Sequence, residues 1–352
     1  MVDFLDHARQ HFARQQPFVL YSKPNQDKVI GLFQEDDELY TSENMEEVGF
    51  IFAPFDGKQQ LLIPENKSKV LVSDFVSDEN NSKGNPVPDS GKGKEAFEHL
   101  VQKGIDAIEN NAFQKVVLSR KEIVAVGDLD FSVIFERLLQ AYATAFKYCW
   151  FHPKVGMWMG ATPEQLLKSE GSRINTVALA GTQQYEQKRE VTWGGKEIEE
   201  QKIVTDFIVD NLKELTSELS TSAPYTLKAG NILHIKTDIE AVLNPGYGLK
   251  DVVSILHPTP AVCGLPKNIS KNFILDNEGY DREYYSGFLG ELNQDFATHA
   301  SKSDLFVNLR CMQIKGNEAH LYIGCGITRE SVPEKEYRET VNKSGTMKRI
   351  LI

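Results

Sequence analysis

Two patterns of hydrophobic residues alternate along the chain, one with the period of a strand and one with the period of a helix. Short apolar runs between turn residues, such as KVIGLF around Val29 and QLLIP around Leu61, predict antiparallel strands in the first 75 residues. Over residues 95–110, apolar side chains recur every three to four positions, which predicts a helix. A strand is expected directly after this helix, in KVVLSR.

The rest of the chain continues this alternation. Helical spacing predicts further helices over residues 131–145, 195 to about 219, and 334–350. The segments MWMGATP, INTVALAGT and DLFVNLRCMQI each predict a strand. The polar residues 78–94, rich in Gly and Pro, predict a loop or linker. The expected fold class is therefore α+β, with antiparallel strands and helices on the outside.

Composition and charge narrow the class of protein. The 352 residues include 41% hydrophobic and 25% charged residues, which is typical of a globular protein. The N-terminal segment carries acidic residues where a signal peptide would need basic ones, and no apolar stretch is long enough to cross a bilayer. We therefore expect a cytoplasmic protein. A net charge of −11 disfavours nucleic-acid binding, so an anionic substrate needs cations gathered locally.

The cysteines do not indicate a metal site. Cys149, Cys263, Cys311 and Cys325 are far apart, without CxxC spacing or paired histidines. We expect reduced thiols in the core, and no zinc.

Two pairs of glutamates have a spacing that places both carboxylates on one helix face. Glu197 and Glu200 lie in the long predicted helix, and Glu336 and Glu339 repeat the spacing in the last one. Mg²⁺ prefers oxygen ligands, usually one or two carboxylates together with waters and substrate oxygens. Two such faces meeting would offer four carboxylates, although each pair alone is also typical of a solvated surface.

Lys115 and Glu164 are candidates for acid–base chemistry. Alternation along KVVLSR turns Lys115 the same way as Val117, and burial favours the neutral amine that a general base needs. The alternative is a lysine that reaches solvent from the strand edge. Glu164 follows the turn GATP, where a carboxylate is held rigidly, but it also suits a helix N-terminus.

Glycines and a stiff loop are candidates for binding. ALAGTQ and YIGCGIT place glycines beside small residues at strand ends, where backbone N–H groups can approach an anion, although ordinary tight turns look the same. His257 lies in HPTPAVCGLPK, a loop stiffened by Pro258 and Pro260. It is either a binding residue or a structural histidine.

The order of these motifs resembles the chorismate-utilising enzyme family. The motifs are KVVLSR, GATPE, ALAGT, KEIEEQKIV, HPTPAVCGLPK, REYYSGFLGE, VNLRC, YIGCGI and EYRETVNKSGT. The resemblance covers about residues 96–352, the expected chorismate-binding catalytic region, whereas residues 1–90 have only the variable N-terminal strands of the same unit. It implies the family fold of two packed antiparallel sheets with helices outside.

The resemblance also implies roles for individual residues. Glu200 and Glu339 are expected to bind Mg²⁺ directly, with Glu197 and Glu336 near the metal or holding its waters. The metal would bind the ring carboxylate of chorismate, while Arg310 and Tyr285 hold the enolpyruvyl carboxylate. The other residues expected to bind substrate are Gly181, Thr182, His257, Gly324, Gly326 and Lys343.

Two positions favour water over ammonia as the nucleophile. Ammonia-using relatives carry Gln in place of Lys115, and relatives that use a lysine nucleophile carry it where this chain has Ala180. The implied reaction is attack of water at C2 of chorismate with Lys115 as base, while Glu164 protonates the departing C4 hydroxyl to give isochorismate. One alternative is further elimination of pyruvate to salicylate, which Ala261 disfavours because salicylate-forming members tend to carry Thr there. Another is a non-catalytic chorismate-binding homologue.

The expected partner is chorismate, and neither nucleic acid nor a membrane. We expect a monomer that works without a glutamine amidotransferase subunit. The sequence leaves open whether the product serves menaquinone, siderophore or salicylate biosynthesis.

Overall fold

A computed structural model describes residues 1–75, 89–127, 130–185, 191–229 and 232–351. The strands within these ranges, in chain order, are β1 (Phe18–Ser22), β2 (Lys28–Gln34), β3 (Tyr40–Thr41), β4 (Gly49–Ala53), β5 (Leu61–Pro64), β6 (Ser68–Asp74), β7 (Lys115–Ala125), β8 (Phe146–His152), β9 (Gly156–Thr162), β10 (Gln165–Glu170), β11 (Arg173–Gln184), β12 (Thr216–Thr221), β13 (Tyr225–Ala229), β14 (Ile232–Leu243), β15 (Gly264–Leu265), β16 (Phe288–Leu292), β17 (Ser303–Val307), β18 (Cys311–Lys315) and β19 (Glu318–Ile327).

The helices alternate with these strands. They are α1 (Val2–Ala13), α2 (Lys94–Glu109), α3 (Phe131–Ala141), α4 (Gly195–Leu212), α5 (Leu249–Leu256), α6 (Lys267–Asn277) and α7 (Pro333–Lys348). None of the helices in the described ranges is long and apolar enough to cross a bilayer.

The strands form two antiparallel sheets. The first has the spatial order β15-β7-β19-β18-β9-β8-β1-β2-β6. The second has the order β12-β14-β11-β10-β17-β16-β4-β5-β3, and β13 also pairs with β14. The N-terminal strands enter both sheets: Phe18 of β1 lies opposite Phe151 of β8, and Ala53 of β4 lies opposite Phe288 of β16.

An aromatic core fills the space between the two sheets. Tyr21, Trp150 and Trp158 from the first sheet meet Phe50 and Phe52 from the second. The outer face of the first sheet packs under α1, α3 and the end of α7, and that of the second packs under α4 and α5. Strands covered on both faces are buried throughout, as in β8. The expected α+β fold of two packed antiparallel sheets with outer helices is confirmed.

The local patterns predicted most elements, but several predictions are wrong. The strands expected throughout the first 75 residues leave out α1. The helix expected to run to about residue 219 ends at Leu212, and the chain then forms β12. The helix expected over residues 131–145 ends at Ala141. Most of the loop predicted over residues 78–94 lies outside the described residues.

The end of α4 has a local cause. The Thr216 hydroxyl donates to the carbonyl of Leu212 at 2.8 Å, and the N–H of Leu215 bonds the same carbonyl at 3.0 Å. These bonds close the last turn. Thr216, which is β-branched, then begins the strand beside β14.

The cysteines behave as predicted. All four are free and buried.

Candidate active site

A cavity of about 230 Å³ opens where α4 and α7 approach the ends of several strands. The predicted site residues that line it are Lys115, Glu164, Gly181, Glu197, Glu200, Tyr285, Arg310, Gly324, Gly326, Glu336, Glu339 and Lys343. The structure therefore brings together residues that are more than 200 positions apart in the sequence. The side chain of Thr182 lies outside the described residues.

Lys115 lies at the start of β7 with its side chain nearly buried, 7% exposed. Lys115 and Val117 line the cavity, whereas Val116 belongs to the hydrophobic core on the other face of the strand. The predicted alternation is thus confirmed. Gly326 leaves room for the lysine, because a Cβ atom there would lie 3.1 Å from Cε of Lys115. The hydroxyl of Ser270 donates to the carbonyl of Lys115 at 3.0 Å and fixes the strand end.

Glu164 is held between β9 and β10 by contacts to the second sheet. The Val307 N–H donates to the Glu164 carbonyl at 2.9 Å. Thr162 donates its hydroxyl to the Val307 carbonyl at 2.6 Å and accepts from the N–H of Glu164 at 3.3 Å. The turn therefore fixes the backbone that carries the carboxyl group, as expected for GATPE.

Burial changes the protonation of Glu164. Desolvation raises the pKa of this carboxyl to about 7, although the positive charges of Lys115, Arg310 and Lys343 act in the opposite direction. A carboxyl group with that pKa is partly protonated at neutral pH. It can therefore donate a proton, which an ordinary glutamate cannot do under these conditions.

Arg310 lies where the chain passes from one sheet to the other. The single strand predicted for DLFVNLRCMQI is wrong, because β17 joins the second sheet and β18 the first. Asn308 holds the crossing: its amide donates to the Tyr284 carbonyl at 2.9 Å, and the Tyr148 hydroxyl donates to its amide oxygen at 2.7 Å. Arg310 has a left-handed backbone with φ of 48°, which is uncommon for a residue other than glycine.

The cationic side of the cavity includes Arg310 and Lys343. Burial lowers the pKa of Arg310 from its ordinary value, but a guanidinium stays charged in proteins. Lys343 donates to the Gly324 carbonyl at 3.1 Å and forms an ion pair with Glu339 at 2.5 Å. Gly324 also admits Tyr285, because a Cβ at Gly324 would lie 2.7 Å from the phenol oxygen.

Gly181 brings β11 close to α4. It lies at a register shift between β11 and β14, with φ of 69°. A Cβ atom at this position would lie 3.1 Å from both Cβ and the carbonyl oxygen of Glu197. The glycine therefore provides the bulge geometry and the space that let the acidic helix approach the strand.

The carboxylates of two helices meet at the cavity, which the spacing alone left open and the family resemblance implied. Glu197 and Glu200 come from α4, and Glu336 and Glu339 come from α7. With Glu164 they make five acidic side chains, against the basic side chains of Lys115, Arg310 and Lys343 in the same lining. Within the part of the chain that the structure describes, no three acidic, His or Cys side chains are close enough to bind a metal as they stand.

One histidine of the cavity was missed from the sequence. His234 on β14 lines the cavity, and its Nδ1 lies 3.0 Å from the Gly181 carbonyl oxygen. Burial lowers the pKa of His234, so the neutral ring predominates at neutral pH. Its neighbours Leu233 and Ile235 are buried apolar residues, so alternation along ILHIK places His234 on the opposite face and could have indicated it.

The structure does not bring His257 to the cavity. The ring packs edge-on against Phe288, with centroids 5.0 Å apart. Burial lowers its pKa to about 3, so it is a neutral packing residue near neutral pH. The stiff loop instead contributes Ala261 and Val262 to the cavity lining.

Comparison with known proteins agrees with this geometry. Residues 56–352 match the model of the family described as chorismate binding enzyme, and the chain belongs to that family. It is 28% identical over 348 residues to isochorismate synthase EntC of Escherichia coli (strain K12), covering 92% of this chain and 85% of that protein.

Solved structures share the fold. The menaquinone-specific isochorismate synthase MenF of Escherichia coli superposes with a TM-score of 0.79 at 22% identity, over 96% of this chain and 89% of that one. Anthranilate synthase component I of Streptococcus pneumoniae superposes with a TM-score of 0.68 at 17% identity, over 94% and 92% of the two chains.

Proposed function

We propose that this protein is an isochorismate synthase, an isomerase that adds water to C2 of chorismate and expels the C4 hydroxyl. The observation that carries the proposal is the pairing, in one small cavity, of a buried lysine with a carboxyl group that is partly protonated at neutral pH. A water-adding isomerisation needs a base and an acid at once. The similarity to EntC over most of both chains supports the same reaction.

The cavity suits a substrate with two carboxylates. Arg310 can bind one carboxylate through two parallel N–H···O hydrogen bonds, and the phenol of Tyr285 lines the same cavity. Lys343 belongs to α7 and is paired there with Glu339, beside the glutamates where the second carboxylate would bind. We assign Arg310 and Tyr285 to the enolpyruvyl carboxylate, and Gly181, Gly324, Gly326 and Lys343 to the remaining substrate contacts.

The four glutamates of α4 and α7 fit Mg²⁺ in donor type. All four line the cavity with carboxylate oxygens, the ligands that this ion prefers. They are not gathered as they stand, since Glu339 forms an ion pair with Lys343. We propose Glu200 and Glu339 as direct ligands, with Glu197 and Glu336 holding the ion's waters. When bound, Mg²⁺ supplies positive charge for a substrate carboxylate.

The protein's own residues account for the proton transfers. Neutral Lys115 accepts a proton from a water as the water oxygen bonds to C2. Both ring double bonds shift, the C4–oxygen bond breaks, and Glu164 donates its proton so that the hydroxyl leaves as water. Lys115 is then charged and Glu164 ionised, and proton exchange with solvent restores both groups.

Two lining residues favour water chemistry over the other reactions of related enzymes. Ala180 offers no amine that could bond to C2. Ala261, unlike a threonine, places no hydroxyl in the cavity wall beside the substrate ring. We further propose that residues 96–352 form the catalytic region and that a monomer works without an amidotransferase subunit.

Replacement of Glu164 tests the assignment of the acid. In the wild type, kcat/KM should fall as the pH rises through about 7, because the group with its pKa raised to that value loses the proton it must donate. Glu164→Gln should still bind chorismate but lose most turnover, and its residual activity should lack this fall. Steady-state rates across the pH range measure both effects. A variant that turns over normally at saturation but binds poorly would make Glu164 a positioning residue.

The identity of the product tests the proposed function itself. Chorismate should be converted to isochorismate with little or no pyruvate, because pyruvate loss requires the side chain folded over the ring in a near-attack geometry. A lactate dehydrogenase assay detects pyruvate, first with chorismate alone and then with an isochorismate-cleaving enzyme added. Pyruvate at the full catalytic rate without that addition would identify a salicylate synthase. No change in chorismate would leave only a binding homologue.

A further inference from the structure

A buried ion pair outside the cavity forms hydrogen bonds to backbone groups on one edge of β7. Glu278 and Arg282 lie between α6 and β16, and their side chains are 1% exposed. Nε of Arg282 donates to Oε2 of Glu278 at 2.7 Å, and Nη2 donates to Oε1 at 2.5 Å. This bidentate geometry fixes the plane of the guanidinium.

The pair takes the place of a neighbouring strand beside the residues of β7 that lie beyond the start of β15. Strand β15 has only two residues, and beside it the N–H of Val117 donates to the Cys263 carbonyl at 2.8 Å. The next two polar groups on that edge of β7 meet the ion pair. Nη2 of Arg282 donates to the Val117 carbonyl at 2.7 Å, and the N–H of Ser119 donates to Glu278 at 2.7 Å.

Arg282 also forms hydrogen bonds to the cavity wall at Val262 and to the turn before β16. Its Nη1 donates to the carbonyl of Val262 at 3.1 Å, and Val262 lines the cavity beside Ala261. Its backbone carbonyl accepts from the N–H of Tyr285 at 2.9 Å. The face of the guanidinium lies over the ring of Phe55, 4.5 Å from the centroid. Arg282 thus joins three segments that contribute to the cavity, two through its side chain and one through its backbone.

We propose that Arg282 is a positioning residue that fixes β7, and with it Lys115, against the wall formed by residues 261 and 262. The inference rests on the proposed function for its kinetic readout. The five donors of a guanidinium can reach Glu278, Val117 and Val262 together, whereas the ammonium of a lysine has three donors and no planar fork. Lysine at this position therefore keeps the charge and loses the geometry.

The test compares Arg282→Lys with a control of similar burial. In Arg282→Lys, kcat should fall roughly 10²-fold, the scale expected for a 1 Å misplacement of a catalytic group. KM should change much less, because Arg310 and Lys343 are held by other elements. Amide hydrogen exchange around Val117 and Ser119 should accelerate, while circular dichroism stays that of the wild type. The control is Lys23→Met, which breaks a buried contact to Asp295 away from the cavity. It should lower Tm without changing kcat of the folded protein.

Glu278→Gln is measured in parallel in case Arg282→Lys fails to fold, and it should lower kcat at least tenfold. Wild-type kcat in a folded Arg282→Lys or Glu278→Gln protein overturns the proposal. So does a loss of activity that only follows the unfolded fraction, as in Lys23→Met. If the wild type forms no isochorismate, the proposed function fails, and hydrogen exchange alone still shows whether Arg282 holds β7.

Discussion

Replacing Lys115 with Gln should lower kcat by roughly 10²-fold or more, the usual scale for the loss of a general base. The amide retains much of the lysine's length and polarity, but it cannot accept a proton from water. The side chain is buried beside Gly326, and another lysine of the cavity lining, Lys343, is held in an ion pair with Glu339. Stopped assays of isochorismate formation measure the loss.

The same strand provides the control for Lys115. Lys121 also belongs to β7, but its side chain is exposed and does not line the cavity. Lys121→Gln should keep wild-type turnover. Near-normal turnover in Lys115→Gln would show that another group activates the water.

Removal of divalent cations should abolish turnover, and added Mg²⁺ should restore it. The four glutamates of α4 and α7 face Arg310 and Lys343 in the cavity, so a substrate with two carboxylates is repelled unless a cation intervenes. EDTA treatment followed by titration with Mg²⁺ measures the dependence, and calorimetry of Mg²⁺ binding measures the site without turnover. Unchanged turnover after complete chelation would contradict the assignment.

Two neighbouring glutamates on α4 distinguish the loss of a metal ligand from the loss of one negative charge. Glu200→Gln should weaken Mg²⁺ binding and raise the concentration needed for half-maximal activity. Glu199→Gln removes the same charge from an exposed position outside the cavity lining, and it should change neither value. Equal effects in both variants would show that only the net charge of the helix matters.

The sequence predicted local features of the site better than their arrangement. The spacing of Glu197 and Glu200 and the orientation of Lys115 follow from the helix and strand periods, which are set within a few residues. Whether α4 approaches α7 depends on packing between distant segments, which residue spacing within one helix does not determine. Resemblance to the family supplied the expectation that both helices serve one site.

The wrong predictions also concern packing between distant segments. The alternating residues of DLFVNLRCMQI fit either sheet equally well, and only the partners of β17 and β18 decide that the chain crosses between sheets before Arg310. The prolines of its loop indicate a fixed position for His257, but a stiff loop does not determine which of its side chains faces the substrate. In this loop Ala261 and Val262 face the cavity, while His257 packs on Phe288.

The N-terminal strands belong to both sheets and pair with strands that are synthesised later. This limits how early the enzyme can fold. The Tyr21 hydroxyl donates to Glu291 at 2.6 Å across 270 positions of sequence, and β1 is bonded to β8. Such pairings require closing long loops, which is entropically costly and slows folding. During synthesis, the first strands must wait for partners made much later, and the cavity is incomplete until α7 has left the ribosome. Catalytic competence therefore depends on α7, the last helix of the described ranges, and cannot precede its synthesis.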